Sequence, residues 1–175
     1  MKEKHTLIVA LILLGLVIYY SFFEFNAPSK EKEGKIGPPL LAISPGEVKK
    51  IEVKRMDGGE LTGEWKERRW VLLKGNEVEN RQMLINDFIV NLLMLVEIDK
   101  FRVENSQLKD YGLANPAFQI TLTDITDKTY QLLIGDTSPV RTSVYVKFPE
   151  SPNVVIAGAI LNYELKKIVP LLSHG

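Results

Sequence analysis

Few side chains in this sequence are suited to acid–base or nucleophilic chemistry. The chain of 175 residues contains no cysteine and only two histidines, His5 and His174, which lie at its two ends. A Ser-His-Asp triad, a cysteine–histidine pair and the usual zinc sites need an imidazole or a thiol inside the folded domain. The sequence therefore excludes these three kinds of site in their usual form, and it excludes any disulfide. It predicts no cofactor.

The carboxylates are the remaining candidates for catalysis. Glu64, Glu67 or Asp136 would form a glycosidase-like acid–base pair if two of them lay roughly 5–10 Å apart in a cleft. Asp124 and Asp127 can donate oxygen ligands to calcium, but such a site needs about six to eight of them, so a hairpin turn is favoured. We expect that the protein is not an enzyme, with a carboxylate-dependent hydrolase as an alternative.

Two tryptophans and two arginines form the candidate ligand or partner surface. Trp65, Arg68, Arg69 and Trp70 flank a Lys-Glu-Arg turn and are suited to contact a glycan or a peptide. This binding hypothesis requires both indoles to be exposed on one face. The favoured interpretation is structural: a cross-strand aromatic pair with stacked cations, which needs no ligand.

The apolar spacing predicts an α+β domain built on an antiparallel sheet with two main helices. The predicted helices cover residues 81–95, with Asn80 as N-cap, and residues 159–169. Antiparallel strands followed by a helix occur twice, which suggests two halves that each consist of a β-meander and a helix. The predicted strands begin near residue 48 and then cover 60–66, 69–74, 97–103, 118–122, 130–134, 144–148 and 154–157.

The stretch QLKDYGLANPAFQITL, residues 107–122, predicts a corner that leads into a hairpin. Asn105 or Ser106 would cap a single helical turn. Gly112 would end this turn with a positive φ, and Leu113 would fold back as in a Schellman motif. Pro116 prevents the helix from resuming.

The first residues predict a membrane anchor. Residues 6–23, TLIVALILLGLVIYYSFF, carry no formal charge, and a helix of this length covers roughly 27 Å of hydrocarbon. Lys2 and Lys4 favour a cytoplasmic N-terminus. Bulky residues follow where signal cleavage requires small ones, so a retained anchor is favoured over a cleaved signal peptide. The residues expected to contact lipid are Leu7, Ile8, Leu11, Leu14, Val17, Tyr19 and Tyr20.

Composition divides the chain into three predicted parts. The anchor occupies residues 1–25, a polar linker NAPSKEKEGKIGPP occupies 26–39, and an extracytoplasmic domain occupies 40–175. Basic and acidic side chains balance, with 22 of each, which argues against general nucleic-acid binding.

Several of these segments, taken together, resemble a bacterial family of unknown function, DUF4340. They are SPGEVKKIEVKR, RRWVLL, NLLMLVEIDKFRV, LKDYGLANPAFQITL, LLIGDTSP, SVYVKF and NVVIAGAILNYEL, and they span about residues 40–168. Many members have a proline soon after the tryptophan strand, where this chain has Gly75 and Asn76. The resemblance implies an anchored envelope protein, in some cases associated with gliding-motility-type ABC transporters, and it supplies no catalytic residues.

These observations together predict a single-pass protein of the bacterial cytoplasmic membrane, with its N-terminus inside and its domain outside. We expect a protein-interaction module whose partners are envelope membrane proteins, for example as an accessory subunit of a transport or motility complex. The alternatives are an envelope glycan- or peptide-binding domain and the hydrolase.

Overall fold

The computed structural model describes residues 37–174, together with Leu13, Gly15, Leu16 and Tyr19. The chain divides into two compact units, Met1–Lys35 and Ile36–Gly175. Within the predicted anchor, Leu13, Gly15, Leu16 and Tyr19 are helical. Of the residues expected to contact lipid, all except Tyr19 lie outside the described residues. Within the described part of the chain, no helix is long and apolar enough to cross a membrane.

The second unit is an antiparallel sheet with two main helices, as predicted. The helices are α1 (Arg81–Leu93) and α2 (Ile160–Ile168), and short 3-10 helices occur at Pro45–Glu47, Asn105–Tyr111 and Val169–Leu171. The strands are β1 (Val48–Arg55), β2 (Gly59–Lys66), β3 (Arg69–Lys74), β4 (Glu97–Arg102), β5 (Phe118–Asp124), β6 (Thr129–Thr137), β7 (Ser143–Lys147), β8 (Asn153–Gly158) and β9 (Ser173–His174).

The strand order is β3-β2-β1-β5-β6-β7-β8-β4, with β9 added beside β2. The strands β1 to β3 form one meander, which α1 follows, and β5 to β8 form a second, which α2 follows. The two meanders meet where β1 pairs with β5. β4 follows α1 in the chain but pairs with β8 at the far edge, so it connects the two meanders.

The core lies between one face of the sheet and the two helices. Val53 is opposite Leu61 on β2 and Ile120 on β5, and all three are fully buried. From the helices, Phe88 and Leu165 join the same cluster. Burying one such side chain contributes about 1.5–3 kcal/mol, an upper value because unfolded chains are partly compact. The α1 helix is therefore mainly a core element.

The α1 helix begins at the predicted residue, but its capping and its C-terminal end differ from the prediction. Asn80 precedes the helix as expected, but its φ is 62° and its side chain makes no capping bond. An N-cap residue usually has extended backbone, which directs its oxygen to the first free amides; the left-handed backbone of Asn80 does not. The helix ends at Leu93 rather than at residue 95: the Leu95 N–H donates to the Leu92 carbonyl, three residues back instead of four, at 3.3 Å. The Leu95 carbonyl then accepts the Leu40 N–H at 2.7 Å.

The sheet contacts begin within the stretch predicted as linker. Pro39 bridges to Val96, and the Glu97 N–H donates to the Pro38 carbonyl at 2.9 Å. Leu40 follows and is buried. The chain thus joins the outer edge of β4 before the first strand of the sheet begins.

Candidate functional site

The Tyr-Gly-Leu corner has the predicted Schellman geometry. Gly112 has a φ of 68°, and the Leu113 N–H donates across the turn to the Leu108 carbonyl at 2.9 Å. The predicted caps, Asn105 and Ser106, are wrong. The helical turn begins after Glu104, because Glu104 has extended backbone and donates its N–H to Gln107 Oε1 at 3.1 Å.

The corner packs directly against the Ile-Gly-Asp segment of β6. A Cβ added to Gly135 would lie 2.2 Å from the Tyr111 carbonyl oxygen. A Cβ added to Gly112 would lie 2.5 Å from Asp136 Cγ. The two glycines thus let two backbone segments touch, and the role of this motif is structural.

An aromatic cluster holds the outer side of the same corner. The Tyr111 ring lies 5.3 Å from the Phe101 ring and 4.9 Å from the Tyr145 ring, measured between centroids. The second contact is edge to face, the geometry that aromatic quadrupoles favour. Tyr111 and Tyr145 are therefore explained as packing residues.

The tryptophan hairpin has the predicted strands and register. Trp65 on β2 is directly opposite Trp70 on β3, and the two indoles meet at 60° with centroids 5.5 Å apart. Glu67 and Arg68 form the two-residue turn, with φ angles of 51° and 63°. Positive φ at both central positions is the geometry of a type I′ turn, which usually contains Asn-Gly.

The two indoles differ in exposure. Trp65 is 45% exposed, whereas Trp70 is 4% exposed. The glycan- or peptide-binding hypothesis requires both indoles to be exposed on one face, and this condition is not met. Trp65 lies at the exposed hairpin tip, whereas Trp70 belongs to the core. The predicted cation stacking is absent too: in the described part of the chain, the ammonium–ring contacts involve Lys128 and Lys167, each with a tyrosine.

A glutamine that the sequence did not single out fixes this hairpin to α1. The Trp70 N–H donates to Gln82 Oε1 at 2.7 Å, and Gln82 Nε2 donates back to the Trp70 carbonyl. The amide side chain thereby takes the place of a neighbouring strand at the outer edge of β3. No sequence signal marks this role, since it depends on where α1 crosses the edge.

Two of the candidate carboxylates lie far apart. Three strand spacings separate β2 from β6, which is roughly 14 Å, so Glu64 and Asp136 do not share a cleft. The residue of β6 that lies in line with Glu64 across the sheet is Thr129. Asp136 is seven residues beyond Thr129 on the same strand, which adds a distance of roughly 23 Å along β6. These distances exceed the separation needed by a glycosidase pair.

Glu64 and Glu67 each have a basic partner on the hairpin. A hydrogen bond from Lys66 holds the pKa of Glu64 below its usual value, which does not suit a general acid. Glu67 lies 3.8 Å from Arg69 at the tip. Across the described residues, no group of three histidine, cysteine, aspartate or glutamate side chains is placed to hold a metal ion.

The Asp124 carboxylate accepts four hydrogen bonds in the turn between β5 and β6. Its Oδ1 accepts the Thr126 hydroxyl at 2.6 Å and the N–H groups of Thr126 and Lys128, and its Oδ2 accepts the Tyr130 hydroxyl. These bonds, the Thr126 hydroxyl first, lower the pKa of Asp124 although its burial opposes the shift. The side chain holds the turn together, as the favoured interpretation of this segment requires.

The fold and its surface define an α+β domain with one antiparallel sheet, a helical layer and an aromatic hairpin tip. The model of the family described as Domain of unknown function (DUF4340) matches residues 70–169, more than half of the chain. The chain belongs to this family, as the resemblance predicted. No curated protein and no solved structure gives a significant match. Both glycines of the corner lie within the matched region, whereas Trp65 precedes it.

Proposed function

We propose that the protein is a membrane-anchored, extracytoplasmic interaction module that contacts envelope membrane proteins through the tip of the β2–β3 hairpin. One observation carries this proposal: the Trp65 side chain is half exposed, and its position is fixed by contact with the buried Trp70. Its ring packs on Trp70, whose backbone is fixed by Gln82. The tip combines an exposed tryptophan with two arginines, Arg68 and Arg69, and both residue types are enriched in binding hot spots. Prior ordering lowers the entropic cost of binding.

The backbone of the tip supports a role beyond turning the chain. Glu67 and Arg68 both have left-handed backbone, which costs roughly 1–2 kcal/mol for each residue other than glycine. A turn that served only to join β2 to β3 would be relaxed with Asn-Gly. Strained backbone of this kind clusters at segments that bind or switch, which supports a contact role for the tip.

The N-terminal sequence supports the membrane location. Residues 6–23 are apolar enough to span a bilayer, and only a short polar segment separates them from the domain in sequence. Partners would then be membrane proteins or proteins close to the membrane. The family resemblance favours an accessory subunit of a transport or motility complex on the outer side of the bacterial cytoplasmic membrane.

Site-specific photo-crosslinking in intact cells tests the contact. A photoreactive phenylalanine analogue replaces Trp65 in the full-length protein, and in a second strain it replaces Met56. Met56 is exposed and lies at the opposite end of β2, so it is the matched control. We expect position 65 to give a discrete adduct with one membrane protein, and position 56 to give none with that protein.

Two further arms complete the test. The variant Trp65→Ala should lower recovery of the partner at least tenfold after mild detergent extraction, while Met56→Ala leaves recovery unchanged. Equal adducts from positions 65 and 56, or unchanged recovery with Trp65→Ala, would overturn the tip as the contact. Release of the full-length protein from membranes by alkaline carbonate would separately overturn the anchor.

A further inference from the structure

A polar pocket of about 520 Å³ opens beside the C-terminal end of β4, at the edge of the sheet opposite to the edge formed by the tryptophan hairpin. Its walls are the segment that leaves β4 and the turn between β7 and β8. The volume is typical of small-molecule sites, which range from about 300 to 1,000 Å³. The polar side chains that line it are Arg102, Glu104, Asn105, Lys147, Glu150 and Ser151.

Lys147 is a buried cation in this pocket. The residue is 9% exposed, and its stem lies between Leu133 and Val154, which are directly opposite it on the neighbouring strands. Its ammonium donates to the carbonyls of Phe148, at 3.3 Å, and Ser151. These two bonds use two of its three donors and leave its charge without a counter-ion, which is costly in a buried position.

The pocket also holds charges of both signs that do not neutralise each other. Arg102 and Lys147 are cationic, and Glu104 and Glu150 are anionic. Within the described residues, none of these four lies within 4.0 Å of an opposite charge, although ion pairs are frequent elsewhere in the domain. Separated cations and carboxylates around one pocket are complementary to a ligand that carries both charges.

The walls of the pocket are ordered before any ligand binds. Pro149 and Pro152 restrict the backbone of the β7–β8 turn. The Ser151 N–H donates to the Phe148 carbonyl at 3.0 Å, and the Val103 N–H donates across the pocket wall to the Pro152 carbonyl at 3.5 Å. A pocket with fixed walls loses little entropy when it binds a small ligand.

We infer that this pocket binds a zwitterion, a free amino acid or a short peptide with free ends, with its carboxylate at Lys147 and Arg102 and its ammonium at Glu104 and Glu150. A ligand carboxylate supplies the counter-ion that Lys147 lacks, and it accepts the third ammonium donor. The site is separate from the hairpin tip, so either proposal can fail without the other.

Calorimetric titration of the full-length protein in mild detergent tests this inference with three probes. L-Alanyl-L-alanine carries both charges, its N-acetyl derivative carries only the carboxylate, and its C-terminal amide carries only the ammonium. We expect saturable binding of the free dipeptide and at least tenfold weaker binding of each capped form. No saturable binding of the dipeptide would overturn the site, and equal binding of a capped form would overturn its zwitterionic character.

Three variants connect the binding to these side chains. Lys147→Met keeps the length of the stem but removes the charge, and it should weaken binding at least tenfold. Glu150→Gln changes an exposed residue at the rim, where folding is not at risk, and should weaken binding at least threefold. Lys54→Met is the control, on the same row of the sheet but outside the pocket. Unchanged affinity in both Lys147→Met and Glu150→Gln would overturn the assignment.

Discussion

The two glycines of the corner make the packing of this domain testable by adding a single methyl group. In Gly112→Ala, a φ of 68° costs about 1–2 kcal/mol for alanine. The new Cβ would also lie 2.7 Å from the Asp136 backbone nitrogen, which cannot rotate away. Overpacking of this kind costs roughly 1–3 kcal/mol, so the expected loss in the free energy of unfolding is roughly 2–5 kcal/mol.

Three other glycines distinguish the cost of left-handed backbone from the cost of steric overlap. Gly58 has a φ of 92° and open space around it, so Gly58→Ala should show only the backbone cost, about 1–2 kcal/mol. Gly135 has no left-handed backbone but would place its Cβ 2.2 Å from the Tyr111 oxygen, so Gly135→Ala should show only the clash, about 1–3 kcal/mol. Gly46 has neither, and Gly46→Ala should be neutral or slightly stabilising.

Urea unfolding of the full-length protein in mild detergent, followed by tryptophan fluorescence, measures these differences. Trp70 is buried and reports on loss of the core, and equal m-values across the series license the comparison. The expected order of destabilisation is Gly112→Ala first, then Gly135→Ala and Gly58→Ala, then Gly46→Ala. If Gly112→Ala cost no more than Gly58→Ala, or if Gly135→Ala were neutral, the close backbone contact would be refuted.

Three further predictions follow from the turns and the edge of the sheet. Gln82→Met removes both hydrogen bonds to the Trp70 backbone, so it should cost roughly 1–3 kcal/mol and promote association through the opened edge, measured by urea unfolding and light scattering. Arg68→Gly should relax the left-handed turn and raise the free energy of unfolding by about 1 kcal/mol, while it lowers partner crosslinking at position 65. Asp124 has a lowered pKa in the folded state, so its stabilisation is present above the unfolded value of about 3.9 and is lost as the pH falls through the folded value. Asp124→Asn should therefore lower stability at pH 7 and flatten its dependence on pH between about 5 and 2, measured as urea midpoints.

Each of these predictions has a contrary outcome. For Gln82, the control is Asn86→Ala, one turn further along α1 and exposed; equal effects of the two changes would contradict the edge contact. For Arg68, a loss of stability with glycine would contradict the strain. For Asp124, an unchanged acid slope in the asparagine variant would show that other carboxylates set the pH dependence.

Local chemistry explains why much of this fold was predictable. Gly112, Leu113 and the alternation that follows depend on neighbours within a few residues, and the corner and hairpin were placed correctly. Trp65 and Trp70 were correctly assigned to opposed strands because only a short turn separates them. Asn80 occupies the predicted N-cap position, but the capping hydrogen bond is missing. A capping residue is recognised from its side chain, whereas its backbone angle depends on how the chain enters the helix.

Non-local contacts explain what could not be predicted. Neither the pairing of β1 with β5 nor the crossing of β4 to β8 leaves a pattern in either strand, because both depend on the whole chain. The exposure of Trp65 and the burial of Trp70 depend on where α1 lies. The pocket around Lys147 forms from segments about forty residues apart in sequence, and none of them carries a recognisable motif.

The pairing of Pro38 and Leu40 with the edge of β4 also determines how the domain would respond to mechanical force. A pull on the chain at Gly37 reaches the bond between Pro38 and Glu97 first, and then the bond between Leu40 and Leu95. Each contributes about 1 kcal/mol, far less than the core behind them. These two edge bonds therefore bear a load from the N-terminal side before β1 does, and they can break and re-form while the sheet remains intact.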